Sequence, residues 1–196
     1  MLKKDRLYFM NKKEKTEILN ESISKKKMIT CEFTCDISYS HFYVTKVSNT
    51  LMIGAEEFDF FIKGYELMKL SRLKKVKLAY DSYNEINEYI GLVDNIENYN
   101  IDISSMYNAL KDIKKLDRIV MVYCDNSPSS FYVGIIDKVN KHSIYFKDFD
   151  INGIYSEGLI EIPFSVIDGI TWNNTYTKGW EIYFSKIAPN KKENLL

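Results

Sequence analysis

The sequence has no net charge. Its 27 lysine and arginine residues are balanced by 27 aspartate and glutamate residues, and the isoelectric point is near 6.7. Proteins that bind the phosphate backbone of a nucleic acid usually present a basic field, and the chain as a whole has none. The charge balance argues against nucleic-acid binding through a global field and leaves only a local basic patch as a route to it.

Long apolar runs are absent, and cysteine is scarce. No stretch of about 18 apolar residues occurs, so we expect no transmembrane helix. The first five residues hold no apolar signal core, which predicts a cytoplasmic location. Three cysteines, an odd number, argue against a disulfide framework.

Catalytic signatures are missing too. The chain has two histidines, His41 and His142, and shows no paired acid and base, nucleophile elbow or phosphate-binding loop. A cysteine–histidine nucleophilic pair stays open, because such residues meet in space rather than in sequence. The sequence therefore predicts a non-enzymatic protein with no catalytic residue and no cofactor.

What the sequence does contain is a repeat. A shift of 94 positions carries Gly64 onto Gly158, and a shift of 89 carries residues 42–44 onto 131–133. The larger shift also relates these pairs: Ser71 and Ser165, Leu73 and Ile167, Val76 and Ile170, Leu78 and Trp172, Ile86 and Trp180, Tyr89 and Tyr183, Ile90 and Phe184, Val93 and Ile187. The pattern predicts two copies of one unit, residues 1–98 and 99–196, with a short insertion in the second copy within residues 150–157.

Each copy reads as a helix, a set of short strands and a closing helix. In the first copy, Asn11 and Glu14 form a potential capping box, and strand-like alternation runs from Met28 to Tyr80. Apolar residues then recur at helical spacing: Ile86, Tyr89, Ile90, Val93 and Ile96. In the second copy a helix begins near Asp102 and strands follow from Arg118. Residues 178–187 fit a closing helix, with an extended hairpin as the alternative.

This density of short strands predicts a mainly β protein with peripheral helices, of the α+β class. The expected architecture is two tandem small barrels, each flanked by helices. The first barrel would span residues 28–80 and the second residues 118–173.

The second copy resembles the Sm-like family, a variant of the SH3-like barrel. The first motif of that family is a glycine, spaced apolar positions and an acidic residue before a hairpin. Gly134, Ile136 and Val139 match its spacing, and Asn140 stands where the acidic residue is usual. Residues 167–170 are similar to the second motif, with Asp168 where the family has a cation. His142-Ser143 stands where the family has a Met-Asn pair that helps bind RNA bases. The second copy also resembles small uncharacterised proteins of low-GC Gram-positive bacteria. The resemblance implies a small barrel and RNA binding.

Several patterns suggest local sites. The hairpin tip formed by Lys138, Asn140, Lys141 and His142 is the best polar and basic candidate for a binding surface, and the lysine run 25–27 is a second basic segment. Residues 148–153 open like a calcium-binding loop, but Leu159 stands where the bidentate glutamate is required, which favours a tight turn. Cys31 and Cys35, four apart on a strand, lie about 13 Å from one another and cannot share a zinc ion. We therefore expect no metal site.

Two functions fit these observations. The favoured hypothesis is a non-enzymatic protein-interaction or assembly module, because small barrels expose sheet edges and a neutral chain suits protein partners or self-association. The alternative is an RNA-binding Sm-like regulator. No small-molecule substrate and no membrane partner are indicated.

Overall fold

The computed structural model of the protein describes residues 10–34, 39–124 and 131–188. It is mainly β with four α-helices, which confirms the predicted fold class at that level. The first half consists of α1 (Lys12–Lys25), β1 (Ile29–Phe33), β2 (Tyr39–Val47), β3 (Leu51–Phe58), β4 (Phe61–Lys69), a 3-10 turn (Leu70–Arg72), β5 (Leu73–Leu78), α2 (Asp81–Tyr89) and a second 3-10 turn (Val93–Asn95).

The second half repeats this order. It consists of α3 (Met106–Lys115), β6 (Val120–Cys124), β7 (Phe131–Val139), β8 (Ser143–Asp148), β9 (Ile160–Pro163), β10 (Ile167–Trp172), α4 (Thr175–Ile182) and a π-helical turn (Tyr183–Ile187). The C-terminal segment is therefore helical, and the extended-hairpin alternative is excluded. None of the helices in the described ranges is long and apolar enough to cross a membrane.

The strands form one antiparallel sheet in the order β5-β1-β2-β3-β4-β10-β6-β7-β8-β9. Counted within each half, both sets of five strands follow the same order, so the sequence repeat is also a repeat of topology. The halves meet where β4 pairs with β10, with Tyr65 opposite Trp172 and Leu67 opposite Ile170.

This seam changes the expected architecture. The predicted pair of separate barrels is not confirmed, because the sheet is continuous across the two halves and does not close. β4 takes β10 of the other half as its neighbour, instead of β5 of its own half. Apolar alternation makes a strand fit any antiparallel neighbour with a matching face, so sequence alone does not choose between these partners.

The core has three parts. The largest draws on both halves and includes Tyr65, Leu67, Ile170 and the fully buried Trp172. A second lies beneath α1 in the first half, where Leu19 contributes a fully buried side chain. The third lies between the sheet and the C-terminal helix. Because the main core is shared across the seam, burial of apolar surface holds the two halves together.

Local signals explain where the helices begin and end. Asn11 accepts a hydrogen bond from the N–H of Glu14 at 3.0 Å, and the Glu14 carboxylate accepts one from the N–H of Asn11 at 2.9 Å. This is the predicted capping box. α1 ends at Lys25, and its C-cap residue Lys26 adopts φ of 50°. The lysine run 25–27 is thus the C-terminus of α1, where Lys25 pairs with Glu21 and Lys27 with Asp81.

A candidate protein-interaction surface

Helix α2 buries two asparagines and exposes its apolar residues to solvent. Asn84 is buried, and its side-chain oxygen accepts a hydrogen bond from the N–H of Met28 at 2.7 Å. Asn87 is fully buried. In contrast, Tyr83 and Ile86 are 43% exposed and Ile90 is 51% exposed. A helix of a globular protein normally buries its apolar stripe, but here the apolar residues of α2 stay largely exposed.

The repeat shows how unusual this orientation is. Ile90 corresponds in sequence to Phe184, which is 2% exposed. The rings of Phe149 and Phe184 lie 5.1 Å apart, and those of Phe149 and Trp180 lie 4.8 Å apart. The expected apolar contact of the first closing helix is therefore wrong for Ile86, Tyr89 and Ile90, although Val93 and Ile96 do pack on the main core. The buried hydrogen bond between Met28 and Asn84 holds α2, whereas aromatic packing holds the C-terminal helix.

The hairpin between β3 and β4 adds three exposed phenylalanines. Phe58 pairs with Phe61 across the strands, and Asp59 and Phe60 form the turn between them. Both turn residues have positive φ, 47° for Asp59 and 67° for Phe60. Such turns favour Asn-Gly, and a bulky side chain at positive φ is strained. The Glu57 carboxylate accepts a hydrogen bond from the N–H of Phe60 at 2.8 Å, which helps hold the turn in place.

A ring contact joins the hairpin to the helix. Phe60 stacks on Tyr83 with centroids 5.6 Å apart, and Phe58 contacts Phe61 edge-on at 5.9 Å. The result is one exposed apolar region, here called the aromatic surface: Phe58, Phe60, Phe61, Tyr83, Ile86 and Ile90. Exposed patches of this kind mark interaction sites in soluble proteins, and aromatic residues are enriched in protein interfaces.

The charges beside the aromatic surface are mostly negative. Asp59 lies in the hairpin turn, and Glu85 and Glu88 are exposed on α2. These three carboxylates form no ion pair with the described residues. Asp81 is paired with Lys27 at 2.6 Å, and the hydrogen bond from that lysine lowers the pKa of the Asp81 carboxyl. An acidic border opposes contact with a phosphate backbone.

The predicted binding hairpin forms in the second half. Lys138 lies on β7 and is exposed, and Asn140, Lys141 and His142 make the turn to β8. The N–H of Asn140 donates to the carbonyl of Ser143 at 2.8 Å, and the N–H of Phe164 donates to the carbonyl of His142 at 2.8 Å. The hairpin fold is confirmed, while binding at its tip stays a prediction. The aromatic surface belongs to the first half and shares no residue with this tip.

The candidate metal and thiol positions take ordinary structural roles. Cys31 and Cys124 are buried, and burial raises the pKa of the Cys31 thiol. Cys35 lies outside the described residues. The Asp150 carboxylate accepts hydrogen bonds from the N–H groups of Asn152 and Ile154, both at 2.9 Å, as a tight turn requires. Within the described ranges, no three cysteine, histidine or acidic residues are grouped to hold a metal ion.

The seam between the halves buries an ion pair. Arg72 contacts Glu66 at 2.8 Å, and both side chains are largely buried. Burial raises the pKa of Glu66 to about 7, although the Arg72 charge works in the opposite direction. Gly169 leaves room for this pair, since a Cβ there would lie 2.7 Å from an oxygen of Glu66 and from a nitrogen of Arg72.

Comparison with protein-family models, curated proteins and solved structures finds no match to this chain. The interpretation of the aromatic surface therefore rests on its geometry. Sequence reasoning missed this surface, although two signals were present. Three phenylalanines fall within residues 58–61 at a hairpin turn, and two asparagines three apart, Asn84 and Asn87, interrupt α2.

Proposed function

We propose that this chain is a non-enzymatic protein-interaction module whose partner docks on the aromatic surface. The observation that carries the proposal is the outward-facing apolar side of α2. Trp180 and Phe184 pack against Phe149 in the second half, whereas Ile86 and Ile90 at the same repeat positions are exposed in the first. A few residues, often aromatic ones, supply most of the binding energy at protein interfaces.

Backbone strain supports this proposal. Phe60 holds a positive φ that glycine or asparagine would adopt more easily. A strained, exposed aromatic residue at a hairpin tip lowers stability and is a recurrent mark of a functional position. Phe60 therefore costs stability in the folded chain, which supports a role in contact with another molecule.

The sheet edges support docking less well than the aromatic surface does. β5 is one edge, and the N–H of Val76 donates to the Met10 sulfur at 3.2 Å, while the Lys15 ammonium donates to the Leu73 carbonyl. β9 is the other edge, four residues long and ending at Pro163, which lacks an N–H. Short strands, proline and covering groups are the devices that block edge-to-edge pairing.

The acidic border defines the partner. Asp59, Glu85 and Glu88 would repel the same charges on a second copy of this surface, so we propose a different protein with an apolar contact region and basic residues around it. The same border opposes the RNA-binding alternative. We keep two further proposals: each half is a unit of Sm-like type, supported by the repeated helix, five strands and turn before the fifth strand, and the protein acts in the cytoplasm.

Quantitative cross-linking and affinity capture from native cells test the proposal. The double variant Ile86→Ser with Ile90→Ser removes both isoleucines of the aromatic surface without changing the buried asparagines of α2. Ile182→Ser is the matched control, because Ile182 is 51% exposed on α4 in the second half. We expect specific partners to be lost with the double variant and kept with the control. Purified candidates should then bind wild type saturably and the double variant weakly, with affinity that falls as salt rises.

Three results would contradict the proposal. The first is an identical partner set for the double variant and the control. The second is a dimer in sedimentation analysis that Ile90→Ser dissociates, which would make the surface a self-interface. The third is submicromolar, salt-sensitive binding of single-stranded RNA that is lost in Lys141→Ala, which would favour the RNA-binding alternative.

A further inference from the structure

A cavity of about 500 Å³ lies in the first half, away from the aromatic surface, with Met106 of the second half in its wall. Its walls come from α1, the turn between β2 and β3, the end of β4 with the following 3-10 turn, and the first residue of α3. Its volume falls in the range of small-molecule sites, which is roughly 300–1,000 Å³. The lining residues are Lys12, Lys15, Asn49, Thr50, Leu51, Lys69, Leu70, Ser71 and Met106.

The charge of this cavity is positive. Three of its lining residues are lysines, and no carboxylate is among them. Lys12, Lys15 and Lys69 form no ion pair with any described acidic residue. Asp168, which does not line the cavity, attracts the Lys69 ammonium. The three ammonium groups repel one another, so an anionic ligand would stabilise their arrangement.

Two of the lysines are held by backbone carbonyls and keep protons to donate. Lys69 donates to the carbonyls of Phe164 and Ser165, both at 2.9 Å. Lys15 donates to the carbonyl of Leu73. An ammonium has three donors, so one proton of Lys69 and two of Lys15 are left for a ligand. Burial lowers the pKa of both groups, and both lysines are partly buried rather than fully solvated.

The remaining walls define the rest of the ligand. Leu51, Leu70 and Met106 are apolar, while Thr50 and Ser71 carry hydroxyls. Met106 is the first residue of α3 after its N-cap Ser105, so the positive end of that helix adjoins the cavity. Compact ammonium groups together with a helix N-terminus suit phosphate oxygens, and apolar walls suit an organic portion.

We propose that this cavity binds a small phosphorylated organic molecule, with its phosphate on Lys12, Lys15 and Lys69 and its apolar part against Leu51 and Met106. The site is independent of the aromatic surface and shares no residue with it. It also joins elements of both halves, so an occupied cavity would stabilise their arrangement. The sequence shows no sign of the site, because its lysines come from α1 and from the end of β4, which only the fold brings together.

Calorimetric titration of the purified full-length protein with pyrophosphate tests this site. We expect saturable binding of one pyrophosphate per chain. Lys69→Met and Lys12→Met should each weaken it by about tenfold, the loss expected for one charge-assisted hydrogen bond. Lys13→Met is the matched control, because Lys13 neighbours Lys12, is exposed, and faces Glu17 instead of the cavity. That variant should bind like wild type.

Lys12 is exposed, so its variant keeps the fold even where Lys69→Met is found to unfold by circular dichroism. Equal losses in Lys12→Met and Lys13→Met would show non-specific attraction to surface charge and overturn the proposal. The absence of binding heat up to about 10 mM pyrophosphate would also overturn it, because a dissociation constant above that concentration is too weak for a specific site.

Discussion

Phe60 lies over Tyr83, with ring centroids 5.6 Å apart and ring planes inclined by 18°. One residue comes from a strained hairpin turn and the other from a helix whose apolar side faces solvent. Their contact buries only part of each ring, since Phe60 remains 40% and Tyr83 43% exposed. The pair therefore joins two exposed elements into one surface and does not form a core.

The strain at Phe60 can be measured. Phe60→Gly and Phe60→Ala both remove the ring, but only glycine relaxes a backbone with φ of 67°. We expect the glycine variant to be more stable than the alanine variant by about 1 kcal/mol in urea unfolding, because an L-residue in the left-handed region carries a cost of that size. Equal stabilities would show that the turn is not strained.

Truncating Trp172, at the pairing of β4 with β10, should lower the free energy of unfolding more than truncating Trp180 in the C-terminal helix. Trp172 is fully buried, and its ring lies 6.0 Å from that of Tyr65 and 5.5 Å from that of Tyr99. Trp172→Ala should lower the free energy of unfolding by about 3–5 kcal/mol, the usual cost of truncating a buried aromatic residue.

Trp180→Ala serves as the comparison in the same unfolding experiment, and its loss should be clear but smaller, because Trp180 is only half-buried. The chain has two tryptophans, so the fluorescence of each variant reports the other residue. A larger loss for Trp180→Ala than for Trp172→Ala would mean that the seam is not the main core.

Glu66 should make the stability of the protein depend on pH. Burial raises the pKa of Glu66 from its ordinary value of 4.5 to about 7, so the folded state holds this proton more tightly than the unfolded state does. The protonated Glu66 therefore adds to the free energy of unfolding. This contribution is fully present below pH 4.5 and is lost as pH rises through about 7. Its size is about 3 kcal/mol at most, at 1.36 kcal/mol for each unit of pKa change.

Chemical unfolding at several pH values between 5 and 8 measures this effect. Glu66→Gln should flatten the pH dependence, since glutamine does not titrate, while the exposed Glu85→Gln should leave it as in wild type. A wild-type stability that rises steadily from pH 5 to pH 8 would show that Arg72 keeps Glu66 ionised.

Local pattern was enough to predict the main elements of this fold. The alternation in residues 29–33 and the capping box at Asn11 and Glu14 identify β1 and the start of α1, since both depend only on near neighbours in sequence. The repeat predicted that both halves share one order of elements. It could not predict that β4 pairs with β10, because both candidate neighbours of β4 offer an apolar face.

The aromatic surface was missed for a different reason. The spacing of Tyr83, Ile86 and Ile90 places them on one side of the helix, and such an apolar side is usually buried. Here the buried hydrogen bond from Met28 to Asn84 fixes the opposite orientation. A periodicity argument counts apolar residues and does not weigh one buried amide against them, so it assigns the wrong side of the helix to the core.

The pairing of β4 with β10 has a consequence for synthesis of the chain. Met68 and Gly169 are partners in this pair and lie roughly 100 positions apart, so their contact raises the contact order and slows folding. β10 is the last of the described strands to leave the ribosome. Until it is made, the nascent first half presents an unpaired strand edge, which is the kind of surface that aggregates or recruits chaperones. Synthesis of β10, rather than completion of the first half, is what protects β4.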